Sequence, residues 1–167
     1  FAAMALHPLF AKLTAVAFLV VAVQHAVRWY YWKPVATLKI PILAILYVGY
    51  LWLVLGFFML ALSLLGYLAA SPAWHVFGIG AAGVFIFGMM TRVALGHTGR
   101  PIKAMGVALA AYLTLNIALL IRVFLPLAGI NDDAYLLAAI LWVASFALYL
   151  FKYVPILVQP RIDGRPG

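Results

Sequence analysis

The chain has no cysteine and only three acidic residues, Asp132, Asp133 and Asp163, in 167 positions. The missing thiols exclude disulfides, thiolate-ligated haem, covalent haem attachment through C-x-x-C-H and cysteine-held iron–sulfur clusters. The missing carboxylates leave no pair for acid–base work. No Ser/His/Asp set and no phosphate-binding loop can be assembled, so hydrolase and NTPase chemistry are excluded for this chain alone. Charge of either sign is scarce: 8% of residues are charged and 69% are hydrophobic, whereas a soluble domain carries roughly 25% charged residues. Mean hydropathy is +1.18. Polar surface is too sparse to cover a globule in water, so the chain reads as an integral membrane protein whose first partner is the lipid bilayer.

The apolar runs are long and do not alternate, which excludes a β-barrel pattern and predicts an all-α membrane helix bundle. A spanning helix needs about 20 apolar residues. Five candidates fit, at about 9–30, 41–70, 74–96, 104–126 and 134–157, forming a single transmembrane domain over residues 1–167. Pro34 and Pro41 bracket the first connection, Ser71-Pro72 marks the second, Gly99 and Pro101 the third, and Pro126, Gly129 and Asn131-Asp132 the fourth. Gly96 is expected to end the third span. The chain opens on Phe1 with no charged segment and small-residue cleavage site ahead of the first run, and it is expected to be processed, truncated or cut from a longer protein.

The net charge of +8 does not point to nucleic acid, because the basic residues stand singly or in small clusters at the ends of apolar runs. With five spans, Arg28, Lys33, Lys39, Arg92, Arg100, Lys103, Lys152, Arg161 and Arg165 fall on one side, and Lys12 and Arg122 on the other with Asp132 and Asp133. Nine basic residues against two place the richer side in the cytoplasm, with the N-terminus outside (periplasmic, if the membrane is a bacterial inner membrane) and the C-terminus cytoplasmic. Trp29 to Trp32 with Tyr149 and Tyr153 fit one interfacial aromatic belt, and Tyr67, Trp74 and Tyr135 fit the other.

The stretch Arg92 to Pro101, R-V-A-L-G-H-T-G-R-P, is an unusual knot of polar residues between apolar runs. Arg92, Arg100 and Lys103 satisfy the charge rule by themselves, and His97 alone fits an interfacial position. The G-I-G-A-A-G at 78–83 lies inside a span, so a dinucleotide role is rejected; its small residues instead admit close approach of a helix or a flat cofactor. None of the four histidines, His7, His25, His75 and His97, is three or four residues from another. His75 and His97 are 22 residues apart, roughly 33 Å of helix, and cannot share a metal. Depth pairs His7 with His75 near the outer face and His25 with His97 near the inner face, as bis-histidine haem would require. Met89 and Met90 near His97 add soft thioethers that suit copper, or serve as packing. Arg122, at the depth of His75, either grips a haem propionate or snorkels.

Residues 88–101, G-M-M-T-R-V-A-L-G-H-T-G-R-P, resemble the NnrS family, bacterial membrane proteins linked to nitric-oxide metabolism and nitrosative stress. The resemblance extends to His75-x-x-x-x-Gly80-Ala81-x-Gly83, to Tyr50-Leu51-Trp52, to Ala118-x-x-x-Arg122 and to the tail Pro160-Arg161-x-Asp163-Gly164-Arg165-Pro166-Gly167. It implies a multi-pass protein of the bacterial inner membrane carrying haem, copper or both. Candidate metal ligands are His25, His75 and His97, and candidate cofactor-binding residues are Arg92, Arg100 and Arg122. Family members are longer and carry a W-H-x-H-E-M-like motif in an N-terminal half that is absent here, and they often have histidine where this chain has Tyr47. The chain therefore resembles the family's C-terminal part, with other membrane subunits or the missing half as expected partners. The competing expectation is a cofactor-free structural or accessory subunit of a larger membrane redox or photosynthetic complex.

The charge split generates a direct test. A cysteine at position 103 should be labelled only from the cytoplasmic side and one at 131 only from the other. The chain has no native cysteine, so no background has to be removed; labelling of both positions from one side would refute the topology.

Overall fold

The computed structural model describes residues 8–104 and 106–164. Six helices follow one another: α1 (Pro8–Tyr31), the single turn α2 (Pro34–Thr37), α3 (Pro41–Leu64), α4 (Ala70–His97), α5 (Val107–Leu127) and α6 (Asp132–Leu157). Five of them, all but α2, are long and apolar enough to cross a membrane, and no strand occurs among the described residues. This is the multi-pass helical architecture that an apolar solvent imposes, since helices satisfy their own backbone groups. Hydroxyls do the same: Thr14, Thr91 and Thr114 each return a hydrogen bond to the carbonyl four residues earlier.

One boundary differs from expectation. The second span ends at Leu64 and the break lies at 65–69, not at Ser71-Pro72. Pro72 instead sits in the first turn of α4, where its missing N–H leaves no helical bond unmade. The break is made by Gly66 at φ 84. Its N–H reaches the Ser63 carbonyl while Tyr67 N–H reaches Leu62, the paired bonds of a left-handed helix cap. The same cap recurs at Gly129, where Gly129 bonds Pro126 and Ile130 bonds Leu125.

Helix α1 packs on α3, α3 on α4, and α5 on α6, while α4 also contacts both α5 and α6. The seam between α3 and α4 is closed by glycines on both helices. A β-carbon on Gly49 would meet the Phe85 ring at 3.3 Å, and one on Gly56 would meet Phe77 at 3.0 Å. In the reverse sense, a β-carbon on Gly80 would lie 2.8 Å from Trp52 Cβ and 2.7 Å from Leu119 of α5, and one on Gly88 2.8 Å from Ile45. Small residues thus let large ones from the facing helix lie against the backbone. Gly83, expected on the same face, meets no other helix: its nearest neighbour is the Gly78 carbonyl at 3.2 Å. The difference arises because residues 76–83 form a π-helical stretch within α4, which changes the face each residue presents.

Trp52 of α3 donates its indole N–H to Asn116 of α5 at 2.8 Å, and Asn116 in turn donates to the Tyr112 carbonyl. Such intramembrane bonds contribute about 0.6–2 kcal/mol. On the other side of α4, Phe87 is fully buried against Tyr112, Phe146 and Tyr149. Tyr149 and Tyr153 stack on each other in the interior, at 4% and 1% exposure. They are therefore core residues, not members of an interfacial belt. Tyr149 packs on Phe87 of α4 as well as on Tyr153. Tyr30, Tyr31 and Trp32 at one end, and Tyr67, Trp74 and Tyr135 at the other, are exposed as a belt requires.

Gly80→Leu should lower stability by roughly 1–3 kcal/mol through overpacking, whereas Gly78→Leu should be near neutral, because a β-carbon there meets nothing within 4 Å. Thermal unfolding in detergent measures both; equal loss in the two variants would mean the seam is not sterically tight.

Candidate functional site

The polar knot lies at the end of α4. The helix runs through His97, one residue past the expected stop at Gly96, and is closed by Gly99 at φ 71. Gly99 N–H bonds Gly96 and Arg100 N–H bonds Leu95 at 2.9 Å. The Thr98 hydroxyl donates to Ala94 at 2.7 Å. Two carbonyls of the end, those of His97 and Thr98, remain, and the C-terminal tail supplies their donors. Arg161 Nη1 donates to the His97 carbonyl at 3.0 Å, and Ile162 N–H to the Thr98 carbonyl at 3.3 Å. Every carbonyl that the last turn leaves without a helical partner is satisfied.

Arg161 is itself held by Asp163 through two parallel bonds, Nε to Oδ1 at 2.9 Å and Nη2 to Oδ2 at 2.6 Å. This fork-on-carboxylate geometry is the strong form of the pair, and the carboxylate raises the Arg161 pKa above its ordinary value. Asp163 also lies on Gly99: a β-carbon there would come within 2.7 Å of its carboxyl carbon. Arg100 reaches in the opposite direction, donating to the Gln159 side chain at 2.9 Å and to the Ile156 carbonyl at 3.5 Å. The turn grips the end of α6, and the tail after α6 grips the turn.

Beside this clamp, Met89, Arg92, Val93, Gly96, His97, Ile102 and Arg161 line an open cleft of about 380 Å³. Arg92 and His97 are exposed, and Arg92 has no hydrogen-bond or ion-pair partner among the described residues. The cleft thus joins one imidazole, two guanidiniums and a thioether. Met89 and His97 are eight residues apart, roughly 12 Å of helix rise, too far for one metal ion to bind both at bond lengths near 2 Å.

The other candidate residues lie elsewhere. His25 of α1 hydrogen-bonds Tyr50 at 2.5 Å and stacks on Phe57 with the rings 3° from parallel. Tyr50 in turn meets Phe85, which precedes His97 by twelve residues, roughly 18 Å of helix. His25 and His97 are therefore not at one depth. His75 stands at the far end of α4, its Nδ1 2.8 Å from the Ser71 carbonyl. Arg122 lies over the Tyr135 ring at 4.2 Å, a cation–π contact. His7 falls outside the described residues. No three of the His and Asp side chains converge among the described residues. Arg161 and Asp163, which organise the clamp, were not among the candidates. Their signal was the isolated carboxylate Asp163 on the side with nine basic residues.

Five apolar helices joined by short turns, with basic residues gathered at one end, define a multi-pass membrane protein. Residues 1–161 match the family model described as NnrS protein, and the chain belongs to the NnrS family. No curated protein and no solved structure matches it.

Replacing Gly99 by alanine should destabilise the protein by at least about 1–2 kcal/mol, the cost of a left-handed residue with a β-carbon, and should free the tail by displacing Asp163. Faster proteolysis after residue 157 together with a lower melting temperature is the expected readout; an unchanged tail would show that the clamp does not depend on this turn.

Proposed function

We propose that this protein acts in nitric-oxide metabolism or in protection from nitrosative stress in a bacterial inner membrane, through a haem, with or without copper, bound at the basic end of α4. The observation that carries this reading is the convergence of the two segments most characteristic in sequence, G-H-T-G-R-P and P-R-x-D-G, on one cleft with an exposed imidazole. Family membership supplies the link to nitric oxide.

The residues fit a planar, carboxylate-bearing group better than a lone metal ion. His97 supplies one nitrogen ligand, and the partnerless guanidinium of Arg92 suits a carboxylate. Three Arg161 donors are already engaged, so that residue chiefly holds the wall. Bound there, such a group would supply an iron able to take up nitric oxide, with His97 and Arg92 the residues of this chain that would hold it. Among the described residues no other histidine lines the cleft, so any further nitrogen ligand would have to come from outside it. A neighbouring membrane subunit or a further segment of chain fits that need. Copper finds only single donors here.

A second reading, a cofactor-free accessory subunit of a larger membrane complex, is favoured by one observation: His25 and His75 already have protein partners, and Arg100 and Arg161 cap helix ends. Oxidised and reduced absorption spectra separate the two. Under the haem reading the purified protein shows a Soret band, His97→Ala loses or shifts it, and His75→Ala leaves it in place. Arg92→Lys should also weaken cofactor retention, because an ammonium cannot reproduce the planar fork. No Soret band, or a band untouched by His97→Ala, rejects His97 as the ligand.

A further inference from the structure

Helices α3 and α5 both pack on α4 rather than along each other. Between them runs an apolar groove of about 440 Å³ with Pro41, Ile45 and Val48 on one wall and Leu109, Leu113 and Leu120 on the other. From Pro41 to Trp52 it covers eleven residues, roughly 17 Å of rise, about half of a hydrocarbon core near 30 Å thick. It is thus one leaflet long. At its basic end it adjoins a cleft of about 390 Å³ that shares Pro41 and Leu109 and contains Lys39 and Lys103. Both lysines are exposed, and neither has a side-chain hydrogen-bond or ion-pair partner among the described residues. No acidic residue lines either space.

We infer that this groove binds one anionic phospholipid from the leaflet on the basic side, its acyl chain between α3 and α5 and its phosphate between Lys39 and Lys103. The deep end favours a hydrocarbon chain over a ligand with a polar ring. The Trp52 N–H is committed to Asn116, and one of the two Asn116 amide N–H groups to the Tyr112 carbonyl. The Tyr112 hydroxyl is buried and not part of the groove surface. A polar ring pushed to that depth would find at most the remaining Asn116 amide N–H in exchange for its several hydrogen bonds to water. The mouth favours an anionic headgroup over a zwitterionic one, since two like charges brought into one cleft without a counterion gain most from a net negative partner. The lipid would fill the space that separates α3 from α5 and so couple the two helical halves.

The test uses delipidated full-length protein titrated with phosphatidylglycerol or phosphatidylcholine of identical acyl chains. Native mass spectrometry counts bound lipid and thermal unfolding reports stabilisation. One tightly retained phosphatidylglycerol is expected, with the Lys39→Gln/Lys103→Gln variant binding it roughly tenfold to thirtyfold more weakly. Arg28→Gln/Lys152→Gln removes two charges from the same side outside the groove and should change little. Ala44→Trp, which obstructs the wall but keeps both lysines, should also abolish retention. Equal retention of the two lipids, or equal loss in both charge variants, would overturn the proposal by showing only general attraction to the basic face. Displacement of phosphatidylglycerol by an isoprenoid quinone, insensitive to the lysine substitutions, would overturn it by assigning the groove to a quinone.

Discussion

The close approach of α3 and α4 is the constraint on which the rest of the molecule depends. Within a bilayer, helices gain little from excluding lipid, because lipid is as apolar as their side chains, and association rests on contact distance. Here the contact is reciprocal: Gly49 and Gly56 receive Phe85 and Phe77, and Gly80 and Gly88 receive Trp52 and Ile45. Each large side chain lies on a backbone that has been stripped to admit it. Trp52 so placed can reach Asn116, and Gly80 so placed also admits Leu119 of α5. The central helix thereby fixes α3 on one flank and α5 with α6 on the other, and its C-terminal end carries the clamp.

The clamp explains why a greasy chain carries a polar knot. A helix that ends at the membrane edge exposes carbonyls that must be bonded to protein or water. Gly99, Thr98, Arg161 and Ile162 distribute donors over all of them. The charge that does this is neutralised locally by Asp163, so the fixation adds little net charge to the face. Arg92, by contrast, has no such partner among the described residues.

The spans, the charge asymmetry and the importance of the 92–101 turn were legible in the sequence because each is a local property: run length, the position of Lys and Arg, the φ > 0 demand of glycine. The break before α4 was misplaced because proline punctuates a helix start as readily as a helix end, and Pro72 does the former. Tyr149 and Tyr153 read as interfacial since tyrosine is amphipathic; only the tertiary arrangement shows that Phe87 and each other are their neighbours. The depth of His25 depends on where α1 meets α3, which no count along one chain fixes. The tail contact joins residues 64 positions apart, and a sequence names both partners without joining them.

The π-helical stretch at Val76–Gly83 also fixes the rotational phase of α4. An α-helix turns about 100° per residue, from its 3.6 residues per turn, and a turn that accommodates an extra residue offsets everything beyond it by about that angle. The segment holding His75 and Trp74 and the segment holding Phe87, Arg92 and His97 are thus out of phase with an uninterrupted helix. Were one residue deleted inside the stretch, the remainder would close into ordinary α-helical turns and the cleft residues would keep their place; were all eight residues instead to become α-helical, everything beyond Gly83 would swing by about a quarter turn. Phe87 would leave the tyrosine core, and His97 would face a different neighbour. The same sequence of side chains beyond Gly83 has meaning only with this offset, so the eight residues act as a phase setting for the site as well as a place of close packing.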